Sequence, residues 1–203
     1  MLSEEDSGIA YRTRRAWQRY WLVDPLDGTK EFIKRNGEFT VNIALIDRGR
    51  AVLGVVLAPA LDLEYSAYGP GRAFRRRASG ALEPISVARP AQAPPRVVCS
   101  RSHAGDELAG YLERLGPHVL KPMGSAIKIC LVAEGAADVY PRLGPTSEWD
   151  TAAAQAILES AGGSMIDLDG RPVTYNSKEG LLNPHFLAIG DTARDWLAPV
   201  RSR

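Results

Sequence analysis

Cysteine is scarce: Cys99 and Cys130 are the two in 203 residues, both in apolar surroundings and without Cys-x-x-Cys spacing. A disulfide scaffold and a thiolate zinc site are therefore not expected, and a reducing compartment, the cytoplasm, fits best. No apolar run approaches the ~20 residues of a membrane span. The opening Met1-Leu2-Ser3-Glu4-Glu5-Asp6 lacks a basic-then-apolar secretory lead. Charge of one sign is missing as well. Twenty-five Lys and Arg against 24 Asp and Glu leave +1, which offers no bulk field for nucleic acid or an anionic membrane. Low-complexity tracts and internal repeats are absent, and 45% hydrophobic residues argue against disorder. The length allows one large domain or two small ones.

What is present changes texture near the middle. Tyr20-Trp21-Leu22-Val23 reads as a buried strand running into a loop, Asp24-Pro25-Leu26-Asp27-Gly28-Thr29, with a short helix over Thr29–Ile33. Phe39–Ile46 and Ala51–Ala58, separated by Asp47-Arg48-Gly49-Arg50, predict an antiparallel hairpin, and Leu63–Tyr68 with Arg72–Arg75 a second. Pro90–Pro95 is the candidate boundary between an antiparallel-sheet half, 1–90, and an α/β half, 96–203. In the second half, strands at Val97–Ser100, Val119-Leu120, Ala137–Tyr140 and Phe186–Ile189 alternate with helices at His103–Leu115, Gly124–Glu134 and Asp150–Ala161. This alternation predicts a layered α/β architecture.

Three acidic elements carry the chemistry: Ser3-Glu4-Glu5-Asp6, Asp24-x-x-Asp27-Gly28-Thr29 and Glu148-Trp149-Asp150. Pro25 restricts the backbone between Asp24 and Asp27, and Gly28 can adopt angles closed to other residues. Thr29 opens a helix whose free N–H groups suit a phosphate. Two unit charges ~4 Å apart repel by roughly 4 kcal/mol at an effective dielectric of ~20, so clustered carboxylates call for a cation between them. Mg²⁺ is the natural one, being hard and readily shared between carboxylate and phosphate. Each element alone also has a bland reading. Asp-Pro-Leu-Asp-Gly makes a good turn, Asp150 makes a good helix N-cap, and Glu4 and Glu5 make ordinary solvated charges.

Taken together, Leu2–Glu5, Trp21–Phe32 and Glu148–Ala153 resemble the inositol monophosphatase superfamily of Mg²⁺-dependent phosphatases. Lys34–Ile46 and Leu131–Gly135 look closer still to its bacterial 3′(2′),5′-bisphosphate nucleotidase branch, with similarity from Leu2 to about Gly190. The resemblance implies a layered αβαβα fold and two or three Mg²⁺ ions held by Glu4, Asp24, the Leu26 carbonyl, Asp27 and Asp150. It implies that Gly28 and Thr29 bind the scissile phosphate through their amides, with Thr29, Asp27 and Glu4 serving the attacking water. The family's N-terminal helical segment, with an acidic partner for the threonine, has no counterpart here. The expected fold therefore lacks its first helical layer, and the first sheet should show an apolar face.

The implied substrate is a small nucleotide bisphosphate, adenosine 3′,5′-bisphosphate, hydrolysed to AMP and phosphate, with its sulfated analogue PAPS as a second. An inositol or sugar phosphatase and a non-catalytic fragment that binds metal or nucleotide are the alternatives. Ser125, Lys128 and Arg142 are the candidates for the non-scissile phosphate, and Ser100–His103 for nucleotide contacts, although each also reads as a surface charge or cap. No nucleic-acid partner or transmembrane segment is expected, and the resemblance allows peripheral contact with the inner membrane. Arg75-Arg76-Arg77 reads as a solvated strand end. His103, His118 and His185, lacking ligand spacing, read as ordinary, and Tyr65, Tyr68 and Phe74 as hairpin packing.

Overall fold

The structure is a computed structural model, and residues 1–101 and 105–201 are described. In chain order the elements of the first half are β1 (Leu2–Ser3), α1 (Tyr11–Arg14), β2 (Arg19–Asp27), α2 (Thr29–Lys34), β3 (Thr40–Asp47), β4 (Arg50–Ala58), β5 (Leu63–Ala67), β6 (Ala73–Arg77) and β7 (Glu83–Pro84). The second half adds β8 (Arg96–Ser100), α3 (Asp106–Leu115), β9 (Val119–Met123), α4 (Ile127–Ala133), β10 (Val139–Arg142), α5 (Glu148–Ser160), β11 (Ser164–Asp167), β12 (Phe186–Ile189) and α6 (Ala198–Arg201).

The first sheet is a meander in sequence order, β1 to β7, antiparallel throughout except that β1 lies parallel to β2. Strand alternation sorts its faces. Thr40, Asn42, Ala44 and Ile46 of β3 point into the core, as do Tyr20, Leu22 and Asp24 of β2. Trp21, Ile43, Leu45, Leu53, Val55 and Leu57 fall on the other face, where Trp21 and Leu57 are 44% and 38% exposed. The apolar outer face expected from the sequence is thus present.

The second sheet runs β11-β12-β10-β8-β9 and is mixed, because β8, β9 and β10 are parallel while β12 opposes both β10 and β11. A purely alternating strand–helix reading missed β11 and this reversal. All four residues of β12 are buried, since the sheet packs on both sides. On one side lie α4 and α5; on the other, Val97, Val139, Leu187 and Ile189 meet Tyr111 of α3 and Trp196 just before α6. Among the described residues the layers are therefore sheet, helix pair, sheet, helix pair, the layered α/β stack expected from the sequence.

The middle helix α5 is apolar almost all round because it is enclosed by the first sheet, α4 and β11. Its alanines permit close approach to β4. A Cβ on Gly54 would overlap the Ala153 carbonyl oxygen and lie 2.9 Å from its carbon. Two expected boundaries move. The helix expected from Gly124 begins only at Ile127, because Ser125 adopts a left-handed φ of 47° that interrupts helical geometry. The helix expected from His103 begins at Asp106, with His103 itself outside the described residues.

Candidate metal and phosphate site

The acidic bend turns out to be strand rather than loop. β2 continues through Pro25 to Asp27, with its register against β3 broken between Asp24 and Asp27. Proline is tolerated there because a bulge needs no ladder donor. The irregularity places both carboxylates near the N-terminus of α5. There an expected boundary moves: α5 begins at Glu148 rather than at Asp150. Asp150 is not the N-cap of α5 but its third helical residue, and Ser147 is the cap. The two form a capping box, in which the Ser147 N–H donates to Asp150 Oδ2 at 2.8 Å.

Asp24, Asp27 and Asp150 each bring one carboxylate oxygen to within 4.8 Å of the others. Each is also fixed by a backbone donor. The Leu26 N–H reaches Asp24 Oδ1 at 2.9 Å, the Ala126 N–H reaches Asp27 Oδ2 at 2.6 Å, and Ser147 holds Asp150. Burial, then the charge of Asp27, pushes Asp24 up to about 8. Burial, again followed by the charge of Asp27, pushes Asp150 up to about 7. Burial raises Asp27 too, against the pull of Lys128. Lys128 and Arg142 offset the crowding of these three carboxyls only in part, and Asp24 Oδ2 is buried without a hydrogen-bond partner. An all-oxygen, hard donor set with an orphaned buried oxygen fits a divalent cation.

Glu4 stands outside this trio, exposed in the single 3₁₀ turn after β1. It is near enough that its charge raises both Asp24 and Asp150. For Leu26, the contact on view is its N–H to Asp24. The other candidates gather around a cavity of about 230 Å³ lined by Asp27, Gly28, Thr29, Ser125, Lys128, Arg142 and Asp150. Gly28, with φ 87°, caps α2, and Thr29 is its first residue. Lys128 is buried, donates to the Ser125 carbonyl at 2.6 Å and lies 5.6 Å from the Tyr140 ring centroid. Burial lowers its pKa, with Asp27 opposing. Arg142 donates to the Pro145 carbonyl at 2.7 Å, while its Nε is buried without a partner.

Sequence reasoning missed several supports. Thr40 Oγ1 and Asn42 Nδ2 both reach Asp27 Oδ2, at 3.4 Å each. Their signal was available: two polar residues occupy the core face of a strand whose next inward positions are Ala44 and Ile46. Glu38 accepts Arg101 through both oxygens and the Gly124 N–H at 2.7 Å, which ties the segment leading into β3 to the turn before α4. The Arg101 hydrogen bonds hold the Glu38 carboxyl below the usual range. The arginine run is not simply solvated: Arg75 bridges Glu83 and Glu134, and Arg76 pairs with Glu64. His118 Nδ1 meets the Gly116 carbonyl at 2.7 Å, and His185 faces Glu107.

The inositol monophosphatase family model matches residues 1–198. The 3′(2′),5′-bisphosphate nucleotidase CysQ of Escherichia coli K12 is 55% identical over 186 residues, covering 92% of this chain and 74% of that protein. The protein of that name in Haemophilus influenzae is 38% identical over 197 residues, 97% of this chain and 73% of its own length. The crystal structure of CysQ from Bacteroides thetaiotaomicron, described as a bacterial member of the inositol monophosphatase family, superposes with a TM-score of 0.86 at 44% identity. It covers 96% of this chain and 77% of that one. No helix among the described residues is long and apolar enough to cross a membrane. Fold, acidic site and relatives agree: the chain belongs to the inositol monophosphatase family.

Proposed function

We propose that this chain is a Mg²⁺-dependent phosphatase that converts adenosine 3′,5′-bisphosphate to AMP and phosphate. The observation that carries the reading is the Asp24–Asp27–Asp150 trio at a cavity also lined by Thr29, Lys128 and Arg142. Identity of 55% to a named 3′(2′),5′-bisphosphate nucleotidase supplies the substrate class. PAPS, with the same 3′-phosphate, is the second substrate proposed.

Asp24, Asp27 and Asp150, joined by Glu4 and the Leu26 carbonyl, would hold two or three Mg²⁺ ions. When bound, Mg²⁺ lowers the pKa of water and offsets charge on the phosphate and the leaving oxygen. The chain's own groups do the positioning. Gly28 and Thr29 open α2, where unpaired helix amides attract an anion and a Cβ-free residue lets it come close. The Thr29 hydroxyl orients the attacking water. Lys128, with Ser125 and Arg142, meets the second phosphate. In-line geometry then needs little covalent chemistry from the protein.

The test is release of phosphate from adenosine 3′,5′-bisphosphate with and without Mg²⁺, in competition with inositol 1-phosphate. Metal-dependent turnover with preference for the nucleotide supports the proposal. Preference for the inositol ester overturns the substrate, and metal-independent turnover overturns the mechanism. Nucleotide plus Mg²⁺ that raise Tm without turnover would leave a binding protein.

A further inference from the structure

The stretch from Tyr175 to Asn183 supplies no helix and no extended strand, yet it holds Arg14 and Glu148, which in the chain lie near Glu4 and Asp150. Asn176 is at its centre. Arg14 Nη1 donates to Asn176 Oδ1 at 2.6 Å, and Asn176 Nδ2 donates back to the Arg14 carbonyl at 2.6 Å. The same guanidinium reaches the carbonyls of Lys178, at 3.2 Å, and Glu179. On its other side, the Asn176 N–H donates to both Glu148 oxygens at 2.9 and 3.1 Å. The Glu148 N–H donates to the Leu181 carbonyl at 2.8 Å. Arg14 and Glu148 are 2% and 1% exposed.

The position of this cluster gives it meaning. Arg14 ends α1, the short helix after the turn that bears Glu4, while Glu148 begins α5 two residues before Asp150. Asn176 has a left-handed φ of 52°, which asparagine tolerates better than most side chains. Burying opposite charges adds little net stability, because desolvation offsets much of the attraction. What such a cluster supplies is fixed orientation, even with the buried Arg14 Nε left without a partner, and a metal ligand needs its supporting contacts for that.

We propose that Arg14, Asn176 and Glu148 form a buried clasp that sets the Glu4 turn against Asp150, so that both carboxylates meet a shared divalent cation. They are positioning residues, and the inference rests on the metal-dependent reading of the site.

The test is Mn²⁺ binding to the metal-stripped full chain, followed by calorimetry and electron paramagnetic resonance. Wild type is compared with Asn176→Ala and Arg14→Lys. Asp138→Asn serves as a control, since it breaks an ion pair with Arg96 in the second sheet. Both clasp variants should bind more weakly, by up to the ~10–100-fold that losing an outer contact made directly to a ligand costs. Asp138→Asn should lose thermal stability but bind Mn²⁺ as wild type does. Wild-type affinity in both clasp variants overturns the clasp, as does an equal loss of affinity in the control. If Asn176→Ala fails to fold, Arg14→Lys, which keeps the charge and loses the fork, decides. A wild-type chain that binds no Mn²⁺ overturns the metal site itself. Because the readout is metal binding, the substrate assignment stands or falls separately.

Discussion

Asp27 Oδ2 accepts the Ala126 N–H at 2.6 Å, joining the bulged end of β2 to the turn before α4 across 99 residues. Thr40 and Asn42 converge on that same oxygen. Three donors on one oxygen fix the carboxylate plane. Asp27→Asn removes the charge while keeping the shape. Mg²⁺-dependent phosphate release should fall by more than about 100-fold, beyond the ~10–100-fold typical of outer contacts. Asn42→Ala should cost about 10-fold and shift the Mg²⁺ activation curve to higher concentration. Steady-state assays across a Mg²⁺ titration check both, and an Asp27→Asn rate equal to wild type would contradict the site.

Metal removal follows from the same crowding. With Asp24 and Asp150 pushed up to about 8 and about 7 by burial and by Asp27, stripping metal from the trio should leave an electrostatic cost to the fold. EDTA should lower Tm, and Mg²⁺ should restore it in a concentration-dependent way. A ligand at 100 times its Kd adds about 2.7 kcal/mol if it binds only the folded state. Differential scanning fluorimetry at fixed pH reads this directly, and K⁺ at equal ionic strength should not substitute.

Much of this site was readable locally, and what was not has a common cause. The strand, the Gly28 turn and the short α2 announce themselves within a dozen residues, through an apolar run, Pro25, Gly28 and Thr29. The alanine-rich α5 is equally plain. α5 was expected to begin at Asp150, with capping as that residue's bland reading, because Ser147 and Asp150 are both good capping residues, and only the capping-box bond separates their roles. β1 was not foreseen, since two residues carry no periodicity and its partner lies 20 residues on. Arg14 looked like one cation in a polar lead. Its burial depends on Asn176, 162 residues away, and no spacing rule reaches that far.

Packing offers a prediction independent of chemistry. Gly54 lies where β4 meets α5, and an added Cβ would collide with the Ala153 carbonyl group. Backbone cannot yield as the end of a long side chain can. Gly54→Ala should therefore cost about 1–3 kcal/mol, and a chain of this size loses about 2–4 °C of Tm per kcal/mol. Thermal unfolding measures it. A neutral effect would mean that α5 can slide on the sheet, which would also displace Asp150 and show in the Mg²⁺ titration.

The Asp138–Arg96 pair gives stability a pH dependence of known sign. Burial alone would raise the Asp138 carboxyl, but Arg96 outweighs it through Nε at 3.0 Å, Nη2 at 2.9 Å and the backbone N–H at 2.7 Å. The folded pKa therefore lies below the unfolded value of about 3.9. A depressed carboxylate contributes its stability above the unfolded pKa and loses it as pH falls through the folded one. At pH 7, Asp138→Asn leaves a largely buried guanidinium unmatched and should cost about 3–5 kcal/mol. Below about pH 4, wild type progressively loses the same interaction, so the gap between the two proteins should narrow, by at most about 1.4 kcal/mol per pH unit. Urea unfolding at pH 7 and at pH 3 decides the matter: a gap that stays constant between them would mean that the carboxylate's charge contributes nothing and that only its shape is used.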